Sequence, residues 1–188
     1  WVGTGVAGVL ALGLAAYAGN VTAYNARTLA KDGPRYGVGR DELQVGVCHV
    51  SIPKIHLPGM LEAPSITRLE ISEDVRKHLI LQDVKPMQSE DFYERVRSRV
   101  NNSANRELFI FVHGYNVTFE DAARRTAQMH FDLNYAGAPI FYSWPSQGEL
   151  WKYTVDETNI SWTAPHFKQF VRDIIAHSDA RSINLIAH

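Results

Sequence analysis

Residues 107–118 read E-L-F-I-F-V-H-G-Y-N-V-T, and this segment decides the fold. Residues 108–112 form an unbroken apolar run, rich in aromatic and β-branched side chains, which predicts a short strand buried on both faces. His113-Gly114 ends the run, because Gly lets a chain turn sharply or approach a ligand closely. Thr118 and Asp121 have the spacing of a capping-box-like pair at the start of a helix. Strand, turn and capped helix predict the start of a βαβ unit.

The sequence after this helix predicts two further strands. Residues 139–144 (P-I-F-Y-S-W) and 182–187 (S-I-N-L-I-A) are apolar runs of strand length. The second is expected to be a central strand buried on both faces when later elements cover it, and to be left as an apolar edge without them. Between them, residues 147–162 are expected to form a polar and aromatic loop, with Pro165 starting the next helix. The order β-α-β-α-β predicts an α/β fold with a parallel sheet and right-handed crossovers. Ligands of such sheets bind at the carboxyl ends of the strands, where His113 and Asn116 lie.

The first half of the chain is less regular. Residues 43–52 alternate well enough to predict a strand that ends at Pro53, and residues 78–84 predict another. Ser89 is expected to be the N-cap of a helix through Val100.

Composition excludes several classes of protein. The chain has 188 residues, enough for one domain, and its 45% hydrophobic and 21% charged content is ordinary for a globular protein. A formal net charge of −1 gives no electrostatic case for binding nucleic acid. Cys48 is the only cysteine, which excludes an internal disulfide. The spacing of Cys48, His49 and His56 fits no common zinc pattern, so a metal site there is not expected.

Residues 1–19 carry no charge and are dominated by Val, Leu, Ala and Gly. As a helix, this segment would span roughly 28 Å, just enough for a bilayer. Residues 16–18, A-Y-A, also form a small-x-small pattern like that of a signal-peptide cleavage site. Three alternatives stay open: a signal peptide, a membrane anchor, and a buried or disordered lead-in. The first two predict an exported or envelope-associated protein whose folded domain covers residues 20–188.

Four motifs carry a resemblance to a known family: F-V-H-G-Y-N-V-T-F-E-D-A, Y-S-W-P-S-Q-G, S-W-T-A-P-H-F and I-N-L-I-A-H. In combination they resemble the bacterial branch of the α/β-hydrolase superfamily catalogued as a domain of unknown function (DUF900). The G-V-C-H-V-S-I-P-K-I-H segment is similar to the lead-in strand of that group, and residues 21–27 are a weaker match to its first strand. The resemblance therefore covers roughly residues 21–188.

The resemblance implies a serine hydrolase for an ester or related acyl substrate, of which this chain is the N-terminal part. The mechanism of such a hydrolase needs no metal and no cofactor. In this family the nucleophilic serine follows a strand at a tight elbow, and the acid and the histidine come later in the chain. Ala187 and His188 would be the two residues before that serine, so the triad lies beyond this chain, which alone is expected to be inert. His113, Gly114 and Tyr115 would form the oxyanion-hole turn, with the backbone N–H of Tyr115 facing the developing charge.

Several side chains near the strand ends are candidates for a substrate cleft: Asn116, Trp144, Trp151, Tyr153 and Trp162. The alternative for the aromatic ones is a loop packed down by its own rings. A second function also stays open, namely an envelope-anchored binding or scaffold domain that keeps the fold without the chemistry, because fold alone does not determine function.

Overall fold

The structure is a computed structural model that describes residues 8–18, 43–61, 74, 77–115, 117–145 and 153–187. Side chains are described for the same residues apart from 8–18 and 153–160. The elements in chain order are β1 (Gly8–Ala18), β2 (Leu43–Pro53), β3 (Ile80–Met87), α1 (Ser89–Asn101), β4 (Glu107–Val112), α2 (Phe119–Asp132), β5 (Ala138–Ser143), α3 (Tyr153–His177) and β6 (Ser182–Ala187).

The described strands form one mixed sheet in the order β3-β2-β1-β5-β4-β6. The β1–β5, β5–β4 and β4–β6 pairings are parallel, while β2 runs antiparallel to both of its neighbours. The sheet is therefore mostly parallel with helices beside it, which confirms the predicted α/β fold. Strands β4, β5 and β6 alternate with α2 and α3 along the chain, which confirms the predicted βαβαβ order.

The core lies on both faces of the sheet, because successive side chains of a strand point to opposite faces. Leu108 and Ile110 of β4 pack with α1 and α3, through Phe92 and Phe170 among others. Phe109 and its neighbours on the other face pack against the alanine-rich side of α2. The unbroken apolar sequence of β4 thus reflects helices on both sides.

Helix α2 begins as the sequence predicts. Thr118 is the N-cap, and its hydroxyl oxygen accepts the backbone N–H of Asp121 at 3.1 Å. The same hydroxyl donates to the Asp121 carboxylate at 2.7 Å, so the pair satisfies one of the free amides of the first turn. This cap fixes the direction in which the chain leaves the end of β4. At α1, by contrast, the N-cap is Gln88 and Ser89 is the first helical residue.

Helix α3 differs from the prediction. It begins at Tyr153, so the predicted loop ends well before Trp162 and Pro165 lies inside the helix instead of starting it. The polar residues 154–161 have no strong helix signal of their own. The correction matters because it brings one turn of α3 next to the carboxyl ends of the strands. Strand β3 is also shifted, beginning at Ile80 and not at His78.

Residues 8–18 form strand β1, which pairs with β2 over its whole length and with β5 over Leu14 to Tyr17. This is the arrangement of a segment built into the sheet. None of the described helices is both long and apolar enough to cross a bilayer. The predicted export or anchoring by residues 1–19 stays a prediction, and the weaker match at residues 21–27 lies outside the described residues.

Strand β6 is at the edge of the sheet formed by the described strands, which is the position expected for it without later elements of the chain. A central position, buried on both faces, stays a prediction for a longer protein. The partner of β6 is β4 alone among the described strands, in register from Glu107↔Ser182 to Val112↔Ala187. Leu185 is 57% exposed. An apolar strand sequence predicts the strand, but burial depends on which elements cover it.

Candidate active site

The candidate site is built at the carboxyl ends of β4 and β5. The parallel register pairs Val112 with Tyr142, so the next residues along both strands, His113 and Ser143, also lie side by side. This register is what brings the predicted His113-Gly114 turn against Trp144. The carboxyl end of β6 lies on the other side, because Ala187 pairs with Val112.

Trp144 binds His113 through two hydrogen bonds. The Trp144 backbone N–H donates to Nε2 of the His113 ring at 3.2 Å, and the indole Nε1–H donates to the His113 carbonyl oxygen at 2.8 Å. The two rings are also stacked, with centroids 5.1 Å apart and planes inclined by 13°. We call this arrangement the His–Trp latch. It ties the turn after β4 to the end of β5.

The hydrogen bonds also define the tautomer of His113. A backbone N–H can only donate, so Nε2 is the acceptor at Trp144 and carries no proton. The ring proton then lies on Nδ1, which donates to the Gly114 carbonyl oxygen at 2.9 Å. His113 is therefore a neutral ring that holds the turn in place.

A cavity of about 230 Å³ opens beside the turn. We call it the strand-end cavity. Its described lining consists of the turn, the ends of β4 and β5, and one turn of α3: Val112, His113, Gly114, Tyr115, Tyr142, Trp144, Thr163, Ala164 and Phe167. Tyr115 is 38% exposed, and its ring meets that of Trp144 edge-on with centroids 5.7 Å apart. The predicted oxyanion turn is thus part of a cavity wall.

Tyr142 and Thr163 join the strand to α3 in this cavity. The Tyr142 hydroxyl lies 2.8 Å from Oγ1 of Thr163 and 3.4 Å from its carbonyl oxygen. Burial raises the pKa of the Tyr142 hydroxyl to about 12. Tyr142 therefore stays protonated at neutral pH and acts as a hydrogen-bonding group inside the fold.

The predicted cleft residues have different positions. Trp144 lines the cavity, whereas Trp162 packs half-buried against the core with its ring 4.5 Å from that of His166. Asn116, Trp151 and His188 lie outside the described residues, as does the side chain of Tyr153. Ala187 is the last residue of β6.

Sequence reasoning missed part of the cavity wall, most clearly Thr163, Ala164 and Phe167 on α3. The cause is the late predicted start of that helix. The motif S-W-T-A-P-H-F contains all three residues, so the sequence did single out the segment. What it did not supply was the contact between Thr163 and Tyr142, which are far apart in sequence.

Ser143 has a possible base within hydrogen-bond reach. Its hydroxyl lies 3.1 Å from Nε2 of His113. However, that nitrogen also accepts the Trp144 amide, and Ser143 is only 6% exposed. A nucleophile needs access to its substrate and a base free to take its proton. The geometry therefore favours a structural hydrogen bond at Ser143.

The candidate metal ligands of the sequence are held apart by other partners. Cys48 is fully buried, and burial raises the pKa of its thiol. His49 contacts the carboxylate of Asp83, while His56 bonds to Asp132 on α2 at 2.8 Å. Within the described ranges, no three His, Cys, Asp or Glu side chains are grouped as metal ligands would be.

A comparison with protein families matches residues 88–188, more than half of the chain, to the family described as an alpha/beta hydrolase of unknown function (DUF900). The match begins one residue before α1 and includes the cavity wall and β6. Searches of curated proteins and of solved structures gave no match. The chain therefore belongs to the DUF900 family of α/β-hydrolases.

Proposed function

We propose that this protein is a serine hydrolase that cleaves an ester or a related acyl bond, and that this chain supplies the oxyanion side of the active site. The observation that carries the proposal is the strand-end cavity, whose wall contains the His113-Gly114-Tyr115 turn. In the α/β-hydrolase arrangement, one oxyanion donor comes from the loop after the strand that β4 represents. The backbone N–H of Tyr115 is the proposed donor.

The nucleophile in this proposal follows His188, at an elbow after β6. Two observations support this position. Strand β6 lies beside β4 in the sheet, and Ala187 pairs with Val112, one residue before the oxyanion turn. A serine presented just beyond β6 would therefore face the same edge of the sheet as Tyr115. Attack on an acyl carbon there would develop negative charge next to the turn.

The His–Trp latch has a defined part in this chemistry. An oxyanion donor stabilises the transition state only if it is already in position when charge develops. The latch fixes the turn through backbone and ring hydrogen bonds in a buried setting, where opening it would leave polar groups unpaired. His113 is thus a positioning residue in the proposed mechanism, and proton transfer belongs to a histidine later in the chain.

The proposal is tested with the chain as given and with a version extended by about a hundred residues past His188, the length that would complete a domain of this size. Both are treated with a fluorophosphonate, which labels activated serines. We expect the label only on the extended protein, and on the first serine after His188. A serine-to-alanine substitution there should remove the label.

Ser143→Ala is the matched control, because Ser143 is the serine nearest a histidine in the described site. The variant should keep full labelling in the extended protein. If the 188-residue chain is labelled and Ser143→Ala removes that label, the nucleophile is Ser143 and the proposal is wrong. If neither form is labelled or hydrolyses any ester, the protein is a binding or scaffold domain.

A further inference from the structure

The aromatic walls of the strand-end cavity have their polar side-chain atoms bound within the protein. Tyr142 and Trp144 each carry one polar atom, and both atoms are already bound within the protein. The Tyr142 hydroxyl is engaged by Thr163, and the Trp144 indole N–H is engaged by the His113 carbonyl. What these two residues can offer a ligand is therefore mainly ring surface.

Charge is also missing from the described lining of the cavity. None of its residues is Asp, Glu, Lys or Arg, and His113 is held as a neutral ring by its hydrogen bonds. A charged group in such a cavity would lose its hydration and gain no opposite charge, which is unfavourable. The lining thus selects against charged ligands.

The space between the described walls of this partly open cavity is small. A cavity of 150 Å³ lined by apolar side chains holds benzene, so by proportion about 230 Å³ holds ~9 non-hydrogen atoms. This is below the usual volume range of sites for drug-sized ligands, roughly 300–1,000 Å³. A compact group fits between these walls, and a long lipid chain would extend past them.

We infer that the strand-end cavity binds the acyl group of the substrate, and that this group is uncharged, apolar and short, with about four to eight carbons. The inference rests on the proposed function, since the acyl carbon must lie at the oxyanion turn that forms one wall. The remainder of the acyl group then extends between Tyr142, Trp144 and α3.

Two residues of α3 set the length limit. The ring of Phe167 packs against that of Tyr142 at a centroid distance of 4.8 Å and forms part of the cavity wall on the helix side. Ala164 lies one turn earlier, is exposed, and contributes only a methyl group to the wall. A larger side chain at Ala164 would take up cavity volume without disturbing the core.

The test measures kcat/KM of the extended protein for p-nitrophenyl esters from acetate to dodecanoate. We expect a maximum between butyrate and octanoate and a fall of about 10-fold or more by dodecanoate, because one methylene that fits or does not fit changes kcat/KM by roughly 10-fold or more. In Ala164→Phe, kcat/KM for octanoate should fall about 10-fold more than kcat/KM for acetate.

Ala176→Phe is the matched control, because Ala176 is also exposed on α3 but is not among the described residues of the cavity wall. Its chain-length profile should equal that of the unsubstituted protein. Phe167→Ala is the opposite test, and should move the optimum toward longer esters. A melting curve shows whether Phe167→Ala folds. If it does not fold, the Ala164→Phe profile alone tests whether the cavity binds the acyl group.

The outcomes separate the two proposals. No ester turnover at all overturns the serine-hydrolase function, and the acyl site with it. Turnover with a flat chain-length profile, or an Ala164→Phe profile equal to that of Ala176→Phe, overturns the acyl site and leaves the hydrolase function standing. An equal loss for acetate and octanoate in Ala164→Phe also overturns it, because that result indicates a blocked entrance.

Discussion

Strands β4 and β6 are neighbours of equal length, run in the same direction and have similarly apolar sequences, yet they differ sharply in burial. Ile110 of β4 is completely buried, while its register partner in β6, Leu185, is 57% exposed. Strand β4 pairs on both sides and has helices over both faces. Strand β6 has one described neighbour. An apolar strand sequence therefore predicts backbone conformation, and the surrounding elements decide how much that sequence stabilises the fold.

The largest expected effect concerns the ends of these two strands. In the extended protein, Gly114→Val should lower kcat/KM about 10²–10³-fold, because its branched side chain would project from the oxyanion turn at the cavity wall. The fold should survive, as judged by circular dichroism. Wild-type turnover in this variant would remove the end of β4 from the active site.

The next effect compares the paired residues directly. Ile110→Ala should lower the free energy of unfolding by about 2–5 kcal/mol, since it leaves a cavity in the core. Leu185→Ala in the 188-residue chain should change it by only about 0.5 kcal/mol, as for other surface positions. Urea denaturation followed by circular dichroism measures both.

The extended protein sharpens this comparison. If elements after His188 cover β6, Leu185→Ala should cost about 2–5 kcal/mol there, as much as Ile110→Ala. A cost that stays near zero in the extended form would show that β6 is a true edge strand in the whole protein.

A smaller effect is expected at the His–Trp latch. Trp144→Phe keeps a ring against His113 but removes the indole N–H, leaving the buried His113 carbonyl without that donor. The free energy of unfolding should fall by about 1–3 kcal/mol. Trp162→Phe is the control, since Trp162 packs beside His166 instead. Turnover should drop in Trp144→Phe and stay unchanged in Trp162→Phe; equal turnover in both would argue against the positioning role of the latch.

The smallest effect lies at the end of α2, where Asp132 contacts the segment that follows β2. Burial pushes the pKa of Asp132 up, but hydrogen bonds from the Gly59 amide, His56 and Gln128 outweigh it and hold that pKa below its usual value. A lowered pKa means stability that is present above about pH 4 and is lost as the pH falls through the folded-state value. Tm should therefore fall by a few degrees in acid, and less in Asp132→Asn. An equal fall in both would assign the loss to other carboxylates.

The parts of the fold that sequence predicted are those with a local cause. The Thr118–Asp121 cap acts within one turn of chain, and the apolar run of β4 is a contiguous signal for a strand. Helix α3 shows the limit of local reasoning. Pro165 has the sequence signature of a helix start, yet the helix already begins at Tyr153. Thr163 and Ala164, just before the proline, lie against the strand ends, and local propensity contains no information on such a tertiary contact.

The sequence predicted the turn of the candidate site, but it did not predict which residues contact that turn. His113-Gly114 was found because the strand, the turn and the capped helix are contiguous. Its contacts with Ser143 and Trp144 depend on the β4–β5 register, which pairs Val112 with Tyr142. The Thr163 contact depends in addition on where α3 crosses the sheet. Neither quantity can be read from a single sequence without a structure.

Hydrogen exchange at the indole N–H of Trp144 can measure the opening of the site without a substrate. Its proton lies between two buried groups, so it can exchange with solvent deuterium only when the turn and the end of β5 separate. With ¹⁵N-labelled tryptophan, its exchange rate would report how often the oxyanion turn opens in the resting protein. A variant that loosens the turn without unfolding the sheet would raise the exchange rate of this indole proton and leave the amides of β4 protected.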